Sequence, residues 1–156
     1  MLLYLVRHGE AEEEKGDPAR PLSEQGISAT KATASHLSRM KIRVNQILHS
    51  KKLRAKQTAE IIAEHLTAAS YKEFTETDGL SPLDDPGTWD DRLKYLTDDL
   101  MLVGHMPHLG KLASLLLCGD GEKDIVAFRP SSVLCLERDE RSHWRLQWMI
   151  TPDMIM

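Results

Sequence analysis

Apolar residues fall in short unbroken runs, separated by stretches where they recur every three or four positions. Residues 2–6, LLYLV, are the first such run. They predict a strand covered on both faces, because alternation shows only where one face meets water. The chain then turns polar from Gly9 to Pro21, with GDP and RPL marking turns. Ser23 is placed to cap a helix whose inner side carries Ile27, Thr30, Ala34 and Leu37. Gly26 in its first turns costs helix propensity, so it serves either close packing or room beside a ligand.

Val44–His49 predicts a second strand, followed by a helix from Lys51 or Lys52 with Ala55, Ala59, Ile62 and Leu66 inward. Residues 71–74 read as a short edge strand and 76–88 as a loop. Trp89, Leu93, Leu96 and Leu100 mark a third helix, with Asp85 and Pro86 near its start. Leu100–Val103 predicts a third buried strand, and a helix from about Leu109 to Cys118 closes against Gly119. Ser132–Arg138 and Trp144–Ile150, divided by the polar DERSH, predict an antiparallel hairpin. The expected fold is a three-layer α/β/α sandwich, one domain over residues 1–156, with a mixed, mostly parallel sheet ending in that hairpin.

A chain of 156 residues suits one domain with a sizeable core. Its formal charge of -4 argues against a dedicated nucleic-acid binder, which would rest on phosphate neutralisation. Cys118 and Cys135 lie in apolar runs and fit neither a disulfide framework nor a metal motif, so both are expected as buried thiols in a reducing compartment. The apolar run from Met1 to Val6 is too short for a signal-peptide core or a membrane span. The expectation is a cytoplasmic protein, monomeric and not associated with a membrane.

A sheet of this kind gathers functional groups at the carboxyl ends of its strands. Three strands end there in Arg7-His8-Gly9, His49-Ser50 and Gly104-His105. An arginine at the end of a buried strand is costly unless an anion or carboxylate pairs with it, and a phosphoryl group does so bidentately. His8 can act as a nucleophile if one ring nitrogen donates to a carbonyl, leaving the other lone pair outward. Gly9 would let the chain turn sharply and leave space for phosphoryl oxygens. Taken alone, RHG is better read as a surface salt bridge beside an incidental histidine. Arg54 sits in the first turn of the second helix, where anions are attracted, but a solvated lysine-rich face reads the same way. His105 would complete a phosphate clamp as a cationic or donor imidazole, or be a satisfied core histidine.

Arg7, His8, Arg54 and His105 together make a positive cup in an acidic chain. YLVRHGEAE, RPLSEQG at 20–26, ILHSKKLRAKQTAE at 47–60 and LMLVGHMPHLG at 100–110 cover nearly the whole chain. In this order they resemble the histidine phosphatase superfamily, also called phosphoglycerate mutase-like, and within it the small SixA-type phosphohistidine phosphatases. The resemblance implies that His8 is the covalent phosphoryl acceptor and that Arg7, Arg54 and His105 bind the phosphoryl group. It implies ping-pong hydrolysis with no metal and no other cofactor, the cationic side chains supplying the needed charge. The proline between His105 and His108 argues against a joint zinc site, and His108 is expected at the rim of the pocket. Ser50 would support Arg54 or the start of its helix by capping. Arg20 matches the arginine of the RPL stretch and would reach the same phosphate or an acidic partner, although a plain surface role fits it equally.

Larger relatives carry a carboxylate that protonates an oxygen leaving group. Glu76, Asp78, Asp84 and Asp85 are available in that region, but none aligns firmly with that role. A site without such an acid favours cleavage of the weaker P–N bond, and a short chain leaves the pocket open to a histidine projecting from another protein. The expected substrate is therefore a histidine-phosphorylated protein such as a phosphotransfer domain or phosphocarrier. The alternatives are a phosphatase for a small phosphate ester and a phosphoprotein-binding module with little turnover.

Overall fold

The computed structural model describes residues 1–14, 16, 18–66 and 71–156. Asp17, in the predicted GDP turn, lies outside the described residues.

Among the described residues six strands form one sheet: β1 (Leu2–Arg7), β2 (Gln46–His49), β3 (Glu73–Glu76), β4 (Leu100–Gly104), β5 (Val133–Arg138) and β6 (Trp144–Ile150), in the order β3-β2-β4-β1-β5-β6. β3, β2, β4 and β1 run parallel, while β5 and β6 are antiparallel to their neighbours. Helices α1 (Glu24–Arg39), α2 (Leu53–His65), α3 (Pro86–Leu93) and α4 (His108–Cys118) cover it. Alternation along the strands divides the core. Leu3, Leu5, Leu100, Leu102 and Leu134 point to the side packed by Trp89 and Leu93 of α3 and Leu109 and Leu112 of α4. Tyr4, Val6, Met101, Val103 and Val133 face Ala34 and Leu37 of α1 and Ala59 and Ile62 of α2. The unbroken apolar runs of β1 and β4 thus reflect a sheet covered on both faces, the three-layer α/β/α sandwich with its mixed sheet and terminal hairpin.

Local signals explain the element ends. Ser23 caps α1 by accepting the Gly26 N–H at 3.0 Å. Gly26 serves close packing: a Cβ there would lie 2.0 Å from the Glu10 carbonyl oxygen. Asp85 caps α3 and Pro86 occupies its first turn. Gly119, at φ 74°, ends α4 with its N–H on the Leu115 carbonyl at 2.9 Å.

Several boundaries move. β2 starts at Gln46 and β3 at Glu73, because the ladder between them pairs Gln46 with Glu73 and His49 with Glu76. α2 begins at Leu53, with Lys52 as its cap residue. α3 stops at Leu93, and Leu100 instead opens β4 opposite Leu3. The loop before α3 carries Leu80, fully buried in the core with Trp89 and Leu109. Cys135 is buried as expected, but Cys118 is exposed. Leu109, Leu112, Ala113 and Leu116 make the inward stripe of α4, and Cys118, two positions past Leu116, falls about 200° around the helix, facing away. No helix among the described residues is long and apolar enough to cross a membrane.

Candidate active site

Strand order brings the site together. β1 and β4 are adjacent and level, Arg7 pairing with Gly104, and the His8 N–H donates to the Gly104 carbonyl at 3.0 Å. On the other side of β4, the Ser50 N–H donates to the Val103 carbonyl at 3.0 Å. His8 and His105 therefore leave the sheet side by side, their ring centroids 5.0 Å apart. His49 ends the next strand out, where its ring packs on Phe74 and its Nδ1 donates to the Ser50 carbonyl at 2.9 Å. It is a core histidine.

His8 meets the condition for a nucleophile. Nδ1 lies 2.6 Å from the Gly9 carbonyl, which only accepts, so Nδ1 carries the proton and the Nε2 lone pair is left for an electrophile. Burial pushes its pKa down to about 4 against the pull of that hydrogen bond, and the charges of Arg54, Arg7 and Arg20 press it further down. The ring is neutral at physiological pH.

Arg7 donates from Nη1 to the Phe128 carbonyl at 2.6 Å, while its buried Nε has no partner. Arg54, the second residue of α2, also has a buried Nε without a partner. Burial lowers the pKa of both guanidiniums, with Arg20 adding to the effect at Arg54. Two half-buried cations with unspent donors, at a helix N-terminus and beside a neutral imidazole, are built for an oxyanion. Arg20, at φ 50°, donates from Nε to the Glu12 carbonyl at 3.0 Å, and its charge is felt at both His8 and Arg54.

His105 is buried, with Nε2 2.8 Å from Ser50 Oγ and Nδ1 without a partner. Burial, then His8, Arg54 and Lys52, push its pKa down to about 3, so the ring is neutral rather than cationic.

Three expectations change. Gly9 makes no sharp turn, and its missing side chain serves packing. A Cβ there would meet Thr30 Oγ1 at 2.6 Å, so its missing side chain lets β1 pack against α1. Ser50 has no exposed surface and does not cap α2: its Oγ accepts the Lys52 N–H at 3.3 Å and supports the ring of His105. His108 is fully buried, not at a rim, because it opens α4 beneath the 77–85 loop, where Asp84 and Asp85 hold up the pKa that burial lowers.

Two carboxylates of that loop have local tasks. Asp84 accepts the Ser81 N–H at 2.9 Å and Asp85 the Gly87 N–H at 2.8 Å, while Arg54, Arg7 and Arg20 press the pKa of His8 down. A cavity of about 610 Å³ between that loop and α4 is lined by Asp84, Asp85, Pro107 and Lys111 and by none of the four cup residues. Among the described residues, no group of three or more His, Cys, Asp and Glu side chains could hold a metal ion.

Sequence reasoning missed the residues that hold the nucleophile loop. Thr58 Oγ1 accepts the Gly9 N–H at 2.9 Å, and Gln57 Oε1 accepts the Leu22 N–H at 2.8 Å. The Ser131 N–H, at φ 63°, reaches the carbonyls of Arg7 and His8 at 3.1 and 3.2 Å, while Thr30 and Thr33 bond its hydroxyl and carbonyl. The spacing of Gln57 and Thr58, three and four past Arg54 and so on one helix face with it, was the available signal.

Residues 3–93 match the histidine phosphatase superfamily (branch 1). The chain is 27% identical to phosphohistidine phosphatase SixA of Escherichia coli K12 over 97% of its length and 94% of that protein's. It superposes on a structure of the protein histidine phosphatase SixA complexed with tungstate with a TM-score of 0.87, 26% identity and 100% of both chains covered. The alpha-ribazole phosphatase of Shigella flexneri shares the fold, with a TM-score of 0.78 at 15% identity and 97% of both chains covered.

Proposed function

The chain belongs to the histidine phosphatase superfamily, on its SixA-like side, and from that premise we propose that it removes a phosphoryl group from a histidine of a partner protein. The observation that carries this reading is the setting of His8: Nδ1 is held on the Gly9 carbonyl, which leaves Nε2 free, and the positive charges of Arg54, Arg7 and Arg20 act on the ring. Nε2 of His8 attacks phosphorus in line while the P–N bond of the substrate breaks. The substrate imidazole, protonated on its other nitrogen, departs as neutral imidazole, so no protein acid has to supply a proton. Arg7, Arg54 and the N–H of His105 hold the equatorial oxygens, and Arg20 adds positive charge. Water then cleaves the phosphohistidine at His8, releasing inorganic phosphate and restoring the ring. The partner is a phosphotransfer domain or phosphocarrier, whose histidine stands out from its surface and needs no enclosing pocket.

The test is to quench turnover with alkali and look for a stoichiometric, alkali-stable and acid-labile phosphoryl group that disappears in His8→Ala. Turnover on a histidine-phosphorylated protein is then compared with turnover on p-nitrophenyl phosphate. A preference for the ester, or no phosphoryl group on His8, overturns the reading.

A further inference from the structure

Ser50 sits behind His105 with no exposed surface. Its backbone is committed, the N–H to Val103 at 3.0 Å and the carbonyl to Nδ1 of His49 at 2.9 Å. Its Oγ accepts the Lys52 N–H at 3.3 Å and lies 2.8 Å from Nε2 of His105. A hydroxyl has one proton to give, and here Nε2 is the acceptor within reach. If Nε2 carried the ring proton instead, the hydroxyl hydrogen and the Nδ1 lone pair would both be buried without a partner. Donation from Oγ to Nε2 leaves one group unspent, the Nδ1 N–H, in a ring tilted 55° to that of His8 with the centroids 5.0 Å apart.

We propose that Ser50 is a positioning residue that locks His105 in the Nδ1–H tautomer, so that a neutral ring turns an N–H donor, not a lone pair, toward a phosphoryl oxygen. This rests on the reading that His105 binds the transferred phosphoryl group. The opposite tautomer would set a lone pair against an anion and repel it. The same buried hydroxyl, fixed by Lys52 from the start of α2, ties the orientation of the ring to the loop that leads to Arg54.

The direct test is the ¹⁵N spectrum of His105 in the wild-type protein at neutral pH with saturating inorganic phosphate. The expected result is a protonated Nδ1 and an acceptor-type Nε2. Ser50→Ala should weaken inhibition by inorganic phosphate about tenfold and lower kcat, and Ser50→Cys, with its weaker S–H donor, should recover part of both. A proton on Nε2 in the wild type, or unchanged phosphate inhibition in folded Ser50→Ala, overturns the proposal. If Ser50→Ala does not fold, the wild-type spectrum decides. Trapping phosphoryl on His8 of the wild type is independent of these results, so failure of the tautomer assignment and failure of the phosphatase reading are separable.

Discussion

Acidification should unfold this protein through its own active site, and replacing His8 should blunt that sensitivity. Burial holds the His8 pKa at about 4, against 6.5 for an ordinary histidine. The unfolded chain therefore binds a proton between these values that the folded chain refuses. The slope of unfolding free energy with pH follows the protons bound by the unfolded state minus those bound by the folded state. It is positive here, so stability is present above pH 6.5 and lost as pH falls toward 4. Integrated from pH 7 to pH 5, His8 alone accounts for about 2 kcal/mol. His105, held at about 3, contributes a similar loss over the same interval. The assay is urea denaturation at pH 7, 6 and 5 of wild type and of His8→Asn, which keeps the size and polarity of the ring without its titration. The variant should lose about 2 kcal/mol less than wild type between the two ends. Equal losses in both proteins, or a His8 ring that titrates near 6.5 by NMR, would refute the account of why this imidazole is neutral.

Arg54→Ala should cut kcat/KM on a histidine-phosphorylated protein by about 10²–10³, as loss of an oxyanion donor does, with little change in melting temperature because no protein group depends on its Nε. Comparable rates in the two proteins would remove Arg54 from the phosphoryl site. Gly26→Ala should destabilise by about 1–3 kcal/mol in urea titration, since its methyl group would meet the Glu10 carbonyl backbone. At native pH a maleimide should label Cys118 within minutes and Cys135 only after denaturation, read by mass spectrometry. Labelling of both at one rate would contradict the assigned packing.

The layers of the fold were open to a reader of the sequence because each follows from a local period. Leu3 and Leu5 against Tyr4 and Val6 is a two-residue alternation, and Leu109, Leu112 and Leu116 a helical one. The same holds for caps such as Ser23 and Asp85, whose partners lie within three residues. Arg7, His8, Arg54 and His105 could be singled out because their positions at strand and helix ends are local facts too. Boundaries failed where a ladder or a core partner set them, as at Leu93, Leu100 and Glu73.

What the sequence could not convey lies in contacts between distant segments. His49 closes β2 and His105 follows β4, and strand position alone does not say which of the two rings reaches His8. The order β2-β4-β1 sends one against Phe74 and sets the other beside His8. Gly9 looked like room for a ligand until α1 was seen against it, and Ser50 like a helix cap until the ring of His105 was found on its hydroxyl. Periodicity is a property of a few consecutive residues and the backbone geometry they share. Which side chains meet across the sheet depends on strand order and register, set by the packing of the whole core at once.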